Sequence, residues 1–220
     1  MDQHEQLIRD LPLLARLPEE ELHALASRGR VRTHPAGTTI FRQGDPGDSL
    51  HVVIEGSVRI TVLSPTGEEA TLALLGPGES CGELSLVDGR PRSASAIASQ
   101  ETKTLVVARN DFLGWLSERP RAALALLETL SLRMRRTDEA LADLAFMNLT
   151  HRLAKRLLDL AARHPRGSSL RITQSELAAM LGVSRESVNK QLNLFAREGW
   201  VALGRGSVTL KDPAALRNLR

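Results

Sequence analysis

The distribution of apolar positions divides the chain into segments of different period. Residues 19–26 predict a short helix, because acidic residues stand in its first turn and apolar residues share one face. From residue 31 to about 107, short runs rich in Val, Ile, Thr and Leu alternate with breaks that contain glycine. The clearest predicted strands are 50–54, 57–63 and 70–75. Short strands separated by regular turn signals predict a small antiparallel barrel or jelly roll.

A long helical pattern follows Pro120 and runs to about Phe146. Positions at three-four spacing form a stripe along it, which we call the seam: Leu127, Leu130, Met134, Thr137, Leu141 and Leu144. So narrow a stripe is more typical of contact with a partner helix than with a broad core. We therefore expect a homodimer joined along the seam. The alternative is that the helix packs only on its own barrel.

The strongest local motif lies in residues 172–195. A predicted helix over 149–162 and a loop over 163–169 come before it. Thr173 and Glu176 have the spacing of a capping box, so a helix is expected to start there. Gly182 allows a tight turn, and Ser184 is expected to cap a second helix. Two short capped helices joined by a glycine turn predict a helix-turn-helix, a motif that places its second helix in the major groove of DNA.

The first turn of that second helix carries the side chains expected to face DNA. Arg185 can donate to guanine, Glu186 can accept from cytosine, and Asn189 and Lys190 project from the same face. Thr173 and Ser184 are expected to act as caps that also approach phosphates. Residues 198–210 then predict two strands around a Gly-Arg-Gly turn, a wing that would bring Arg205 near the DNA backbone.

The charge distribution supports a nucleic-acid partner. The net charge is +3 over 220 residues, but residues 1–147 carry 16 basic and 21 acidic residues whereas residues 148–220 carry 13 and 5. A basic segment joined to an acidic one is typical of a protein whose basic part binds nucleic acid. A solvated basic surface would give the same balance, so charge alone leaves both interpretations open.

Composition excludes several other classes. No apolar run has the length of a membrane span and no secretory signal precedes residue 30, which predicts a cytoplasmic protein without a membrane partner. Cys81 is the one cysteine and the six histidines are scattered, so we expect no metal site. No nucleophile stands with a base in a recognisable catalytic arrangement. The sequence thus predicts a protein that is not an enzyme.

Residues 82–94, which we call the cassette, predict a site for an anionic ligand. Gly82 opens a short helical turn whose free backbone N–H groups can hold an anion. Arg92 offers a guanidinium to a phosphate, and Ser93 offers a hydroxyl. Glu83 can accept a hydrogen bond from a sugar hydroxyl. The alternative is that Glu83 and Arg92 form a structural ion pair.

The order of barrel, seam helix and winged helix-turn-helix resembles the cyclic-AMP receptor protein family of bacterial transcription regulators, also called the CRP/FNR family. The resemblance covers nearly the whole chain. Its two specific motifs are the cassette, Gly82-Glu-Leu with Arg92-Ser-Ala94, and residues 184–190, Ser-Arg-Glu-Ser-Val-Asn-Lys. It implies an α+β fold with a cyclic-nucleotide-binding jelly roll at residues 1–118, a dimerisation helix at 119–147 and a winged helix-turn-helix at 148–220.

The resemblance also implies the ligands and their contacts. The effector would be cyclic AMP, with ribose and cyclic phosphate held by Gly82, Glu83, Leu84, Arg92 and Ser93. Arg133 on the seam helix would bond to Glu83 or the nucleotide. Thr137 would approach the base from its own subunit, and Asp138 would approach it from the helix of the partner subunit. The DNA site would be an inverted repeat resembling TGTGA-N6-TCACA. RNA polymerase would be a further partner, with the 163–169 loop as a candidate contact.

Asp138 departs from the family pattern, in which a small hydroxyl or amide residue follows the threonine. A carboxylate can accept one hydrogen bond from adenine but two from guanine, so cyclic GMP and cyclic di-GMP stay open as effectors. Asp138 can equally be a solvent-facing residue without a role. Two other functions also stay open: a DNA-binding dimer without an effector, and an enzyme that hydrolyses nucleotides and carries an incidental basic tail.

Overall fold

The computed structural model describes residues 24–67, 69–162 and 169–219. The chain divides into two compact units, one that ends at Met134 and one that begins at Arg135. The helix expected over residues 19–26 lies mostly outside the described residues, as does the loop expected over 163–169. The three-part division at residues 118 and 147 stays a prediction.

Two antiparallel sheets form the frame of the first unit. The strands are β1 (Gly29–His34), β2 (Thr39–Phe41), β3 (Ser49–Glu55), β4 (Val58–Leu63), β5 (Glu69–Leu75), β6 (Ser80–Cys81), β7 (Ser95–Ala98) and β8 (Thr102–Ala108). One sheet has the strand order β1-β8-β3-β6 and the other has the order β2-β7-β4-β5. The three clearest predicted strands correspond to β3, β4 and β5. The α+β fold class is confirmed.

Strand β3 explains how the unit is organised. Successive side chains of a strand point to opposite faces, and β3 is buried on both. Leu50, Val52 and Ile54 pack in a cluster with Phe112 and Trp115. The intervening side chain of Val53 packs in a second cluster. Two short helices cover this unit: α1 (Glu83–Asp88) and α2 (Arg109–Glu118). The same alternation turns His51 away from the first cluster.

The long helix α3 (Pro120–Phe146) is continuous over 27 residues, as the sequence predicts. Its apolar side chains are largely exposed. Of the seam positions, Leu130 is half-buried, and those more than 36 % exposed are Leu127, Met134, Thr137, Leu141 and Leu144. Exposed apolar rows of this kind are typical of surfaces that meet another chain.

The second unit combines helices with a three-stranded antiparallel sheet. Its elements after α3 are α4 (Leu149–Ala162), β9 (Ser169–Arg171), α5 (Gln174–Leu181), α6 (Arg185–Arg197), β10 (Val201–Gly204), β11 (Ser207–Leu210) and α7 (Pro213–Arg217). The strand order of the sheet is β10-β11-β9. Fully buried side chains of Leu177, Val188, Leu192 and Phe195 hold α5 against α6. Each contributes about 1.5–3 kcal/mol by leaving water.

The sequence did not predict β9 or α7. Strand β9 pairs with β11 and buries only Leu170. Helix α7 begins after Asp212, whose side chain accepts from the backbone N–H of Ala215, and has proline in its first turn. Across the described ranges, no helix is both long and apolar enough to cross a membrane.

Candidate effector and DNA-binding sites

Gly82 fixes the backbone at the start of the cassette. It stands immediately before α1 with φ of +91°, in the left-handed region. A Cβ at this position would lie 2.4 Å from Nη1 of Arg92 and 2.9 Å from the carbonyl oxygen of Ser49. Both the conformation and the close approach of Arg92 therefore require glycine here.

Arg92 is buried against the backbone that surrounds it. Its Nη1 donates to the carbonyl of Gly82 at 2.8 Å, and its Nη2 donates to the carbonyl of Ser49 at 2.7 Å. Asp48 lies 3.4 Å from Nη2. The guanidinium also stacks on Phe41, with Cζ 4.3 Å from the ring centroid. Burial lowers the pKa of Arg92, but arginine stays charged in proteins, so a fixed positive charge stands beside Gly82.

Glu83 pairs with Arg133 rather than with Arg92. The Glu83 residue is 3 % exposed, and its carboxylate Oε1 accepts from Nη1 of Arg133 at 2.5 Å. Arg133 also donates to the carbonyl of Ser80. Because Arg133 belongs to α3, the ion pair ties the cassette to the N-terminal part of the long helix. The alternative of a structural pair between Glu83 and Arg92 is thus not what the structure contains.

Two buried polar atoms of the cassette have no hydrogen-bond partner in the described chain: Oε2 of Glu83 and Nε of Arg92. Buried polar groups are nearly always satisfied, so such atoms are commonly explained by a missing ligand or water. One is an acceptor and the other a cationic donor. A sugar hydroxyl beside an anionic phosphate supplies the complementary pair, so these residues suit a cyclic nucleotide.

A second polar layer stands behind Arg92 inside the barrel. Nε2 of His51 lies 3.2 Å from Oγ of Ser49, which lies 3.4 Å from Nη2 of Arg92. Nδ1 of His51 lies 3.5 Å from Oγ1 of Thr104. Burial, followed by the charge of Arg92, lowers the pKa of His51 to about 4. The imidazole is therefore neutral near pH 7 and adds no charge to the site.

The other predicted effector contacts are exposed. Leu84 and Ser93 flank the buried Glu83 and Arg92 in the first unit. Thr137 and Asp138 are exposed on the part of α3 that belongs to the second unit. Their expected approach to the nucleotide base stays a prediction.

The helix-turn-helix forms with the caps that the sequence predicts. Oγ1 of Thr173 accepts from the backbone N–H of Glu176, whose carboxylate accepts from the backbone N–H of Thr173. Gly182 ends α5 in the left-handed conformation, with φ of +64°. Oγ of Ser184 then accepts from the backbone N–H of Ser187 at the start of α6. Each such cap contributes about 1 kcal/mol.

The predicted DNA-facing side chains of α6 are exposed together. Arg185, Glu186 and Lys190 form no side-chain hydrogen bond or ion pair within the described ranges. Asn189 differs, because Gln174 and Asn193 donate to it. Arg205 is exposed at the turn between β10 and β11, the predicted wing.

A cleft separates the wing from the helix-turn-helix. Thr173, Gln174 and Arg185 line one side of it, and Gly204 and Ser207 line the other. The backbone N–H groups of α5 that precede the capped N–H of Glu176 have no acceptor within the helix, and such groups favour anions. The cleft is therefore suited to a backbone phosphate.

Sequence reasoning missed several residues that shape these sites. The partners of Arg92 at positions 48 and 49 lie more than 40 residues away in sequence, and no local signal connects them. His51 likewise belongs to a strand whose pattern is simply apolar. Gln174 and Asn193 are ordinary polar residues in helical sequence. Their hydrogen bonds to Asn189 become visible only in the folded helix-turn-helix.

The described part of the chain contains no group of three or more His, Cys, Asp or Glu side chains placed to hold a metal ion. The single cysteine, Cys81, is buried beside the cassette. Burial raises the pKa of its thiol to about 12. It is therefore a neutral packing residue rather than a reactive thiolate.

Comparison with known proteins identifies both units. A cyclic nucleotide-binding domain matches residues 31–119, and a Crp-like helix-turn-helix domain matches residues 151–219. The chain is 41 % identical over 188 residues to the CRP-like cAMP-activated global transcriptional regulator of Mycobacterium tuberculosis, covering 83 % of this chain and 84 % of that protein. It is 41 % identical over 208 residues to the cyclic AMP receptor protein of Thermus thermophilus, covering 94 % and 96 %.

A solved structure extends this comparison to a different effector. The c-di-GMP-responsive global regulator CLP of Xanthomonas campestris superimposes with a TM-score of 0.80 at 27 % identity, covering 88 % of this chain and 99 % of that one. Proteins of this fold thus include transcription regulators that respond to different cyclic nucleotides.

Proposed function

This chain belongs to the cyclic-AMP receptor protein family of transcription regulators, and we propose that its effector is cyclic AMP. The chain is a DNA-binding regulator with a cyclic-nucleotide-binding domain, and the predicted CRP/FNR recognition is confirmed. The family consists of regulators rather than enzymes, which confirms that prediction and removes the nucleotide-hydrolase alternative.

The observation that carries the effector proposal is the pair of unsatisfied buried atoms, Oε2 of Glu83 and Nε of Arg92. When bound, cyclic AMP supplies ribose hydroxyls and one phosphate charge. Glu83 accepts from the ribose, while Arg92 neutralises the phosphate with Ser93 as a further donor. Leu84 covers the sugar. The two relatives at 41 % identity, named as cAMP-activated and as a cyclic AMP receptor, support the same nucleotide.

The same residues offer a route from effector to DNA. Glu83 is bonded to Arg133 of α3. A movement of the cassette would therefore displace this helix, which continues to residue 146 in the unit that carries the helix-turn-helix. We propose that the effector favours one of two dimer arrangements, in which the two recognition helices α6 fit successive major grooves. A coupling of about 1–3 kcal/mol corresponds to a 5- to 150-fold change in DNA affinity.

Dimerisation through α3 is part of this proposal. The exposed row along the seam includes Leu127, Met134 and Leu141. Two such helices packed in parallel would bury these side chains as a short coiled coil. Sedimentation velocity should find a dimer for the full chain, and Leu141→Arg should shift it toward monomer. The surface variant Ala142→Arg, which introduces the same +1 change at an exposed position beside the seam, serves as control.

For the target we propose an inverted repeat resembling TGTGA-N6-TCACA. Arg185, Glu186, Asn189 and Lys190 would contact base edges, with Thr173, Ser184 and Arg205 near phosphates. The exposed, unpaired state of Arg185 and Glu186 supports base contacts, because a glutamate near phosphates is unfavourable unless it accepts from a base. RNA polymerase is a proposed further partner.

A guanine effector is the second candidate, and Asp138 is the observation that favours it. The Xanthomonas regulator, described as c-di-GMP-responsive, makes the alternative concrete. Calorimetric titration of the full chain with cyclic AMP, cyclic GMP and cyclic di-GMP separates them. Heat from cyclic AMP, lost in Arg92→Ala, supports the first proposal. Heat only from a guanine nucleotide, lost in Asp138→Ala, supports the second. No heat from any of them would leave a DNA-binding dimer without an effector.

A further inference from the structure

Resting on the proposed function of α6 as the recognition helix, the geometry points to a donor-only role for Asn189: it favours guanine, which offers two acceptors, rejects cytosine, which offers none, and cannot form the usual two-bond pair with adenine. An asparagine in a major groove usually pairs with adenine through one donor and one acceptor. Here the acceptor is already used by the protein. Gln174 and Asn193, which use it, are then positioning residues that set base preference without touching the base.

The orientation of the Asn189 amide follows from the backbone. Nδ2 of Asn193 lies 2.9 Å from the backbone carbonyl oxygen of Asn189. A carbonyl oxygen can only accept, so the Asn193 atom at that point must be the amide nitrogen. The same nitrogen lies 2.9 Å from the Asn189 side chain. The Asn189 atom that faces it must therefore be the acceptor, Oδ1.

A second donor occupies the remaining lone pair of that oxygen. Nε2 of Gln174, at the start of α5, lies 3.0 Å from Oδ1 of Asn189. An amide carbonyl has two lone pairs, and both are now engaged. What Asn189 can still offer is its NH2 group, which carries two donors and no acceptor.

The acceptors and donors that each base presents in the major groove determine which bases this NH2 group can bind. Asn189 is exposed and lies one helical turn after Arg185, on the same side of α6. In the major groove, guanine presents O6 and N7 as acceptors, thymine presents O4 and adenine presents N7 beside its N6 donor, whereas cytosine presents only its N4 donor. An NH2 group facing cytosine N4 leaves donor opposed to donor. One base pair of each half-site should therefore favour guanine on the strand that faces Asn189, with cytosine the least favoured base.

The test measures base preference rather than affinity alone. Full-length protein, with and without cyclic AMP, is titrated against duplexes in which each half-site position is varied singly to all four bases. Asn189→Ala first identifies the base pair, as the position where preference disappears. For the unmodified chain we expect guanine to be favoured there about 5- to 20-fold over cytosine, with thymine and adenine, which offer one acceptor each, in between.

Two variants then address the positioning residues. Gln174→Ala combined with Asn193→Ala frees both lone pairs, so Asn189 can turn and the preference should fall below twofold at that pair alone. Asn193→Asp accepts from the Asn189 amide instead, which turns Oδ1 outward and should move the preference toward adenine or cytosine. The control is Leu194→Ala, an exposed residue of α6 that stands five positions after Asn189 and so on a different face of the helix.

Different results would overturn the donor-only role of Asn189 and the proposed function of α6. An adenine or cytosine preference in the unmodified chain overturns the inference, as does a preference unchanged in both the double variant and Asn193→Asp. Equal losses at every position would mean that these residues only stabilise the fold, which also overturns it. If the unmodified chain binds no duplex with sequence preference, the proposed function of α6 itself has failed.

Discussion

Replacing Arg133 by methionine removes the positive charge that neutralises the Glu83 carboxylate while keeping an apolar stem of similar length. Glu83 is almost fully buried, and its second oxygen has no hydrogen-bond partner in the described chain. Without Arg133, the carboxylate must stay charged without a counterion, take up a proton, or move into water. Each of these destabilises the first unit.

The size of the effect follows from the burial of the two partners. Removing one member of a buried ion pair costs roughly 3–5 kcal/mol. The Arg133 side chain is 31 % exposed, however, so water can reach the carboxylate in its place and moderates the loss. We expect about 2–3 kcal/mol for Arg133→Met. Adding Glu83→Gln should restore about 1–2 kcal/mol, because the amide carries no buried charge.

Urea unfolding followed by circular dichroism, at equal protein concentration, measures these changes. The matched control is Arg135→Met, which removes an exposed arginine two residues further along α3. A double-mutant cycle over positions 83 and 133 gives the coupling energy directly. Equal losses in Arg133→Met and Arg135→Met, or additive losses in the double variant, would refute the view that this ion pair holds the cassette to the helix.

Three further changes test other parts of the account. Gly82→Ala forces a Cβ against Arg92 in a left-handed conformation and should destabilise the chain by at least about 2 kcal/mol in urea; unchanged stability would mean that the close approach is not rigid. His51 takes up a proton in the unfolded chain near pH 6.5 but resists it in the folded chain until about pH 4. Stability should thus fall by about 3 kcal/mol as pH drops through that window, and His51→Gln should lack this part of the slope. Arg185→Ala should weaken specific DNA binding by roughly 1–3 kcal/mol and relax specificity at one base pair; a uniform loss over all sequences would make it a phosphate contact.

Local signals account for the parts of the fold that the sequence predicts well. The capping box at Thr173, the glycine at 182 and the cap at Ser184 each form hydrogen bonds to a residue at most four positions away, and the structure contains all three. The helix expected over 149–162 is α4, because its apolar period is regular along its whole length. Helix propensity and capping depend on neighbouring residues, so helices that they define can be predicted without knowledge of the tertiary structure.

Elements defined by distant partners could not be predicted in the same way. Strand β9 is three residues long and exists because it pairs with β11, some forty residues later. Its own sequence offers only one buried residue. Helix α7 is different, since Asp212 followed by proline is a recognisable start signal that the sequence reasoning overlooked.

The effector and DNA-binding sites likewise contain residues that local sequence predicts and contacts between distant residues that it does not predict. Gly82, Glu83 and Arg92 could be found because they stand within eleven residues and have complementary chemistry. The ion pair to Arg133 joins residues 50 positions apart, and only the family resemblance suggested it. The occupied carbonyl of Asn189 was beyond reach, because the sequence identifies an asparagine on the correct face but not which of its two polar atoms remains available.

In the proposed function, a nucleotide bound at the cassette would control how tightly α6 binds DNA. Fluorescence anisotropy of a labelled TGTGA-N6-TCACA duplex, titrated with the full chain in the presence and absence of cyclic AMP, tests it most directly. We predict 5- to 150-fold tighter binding with cyclic AMP, and loss of that difference in Arg92→Ala. Equal affinity with and without cyclic AMP, in a chain that binds the duplex, would contradict the claim.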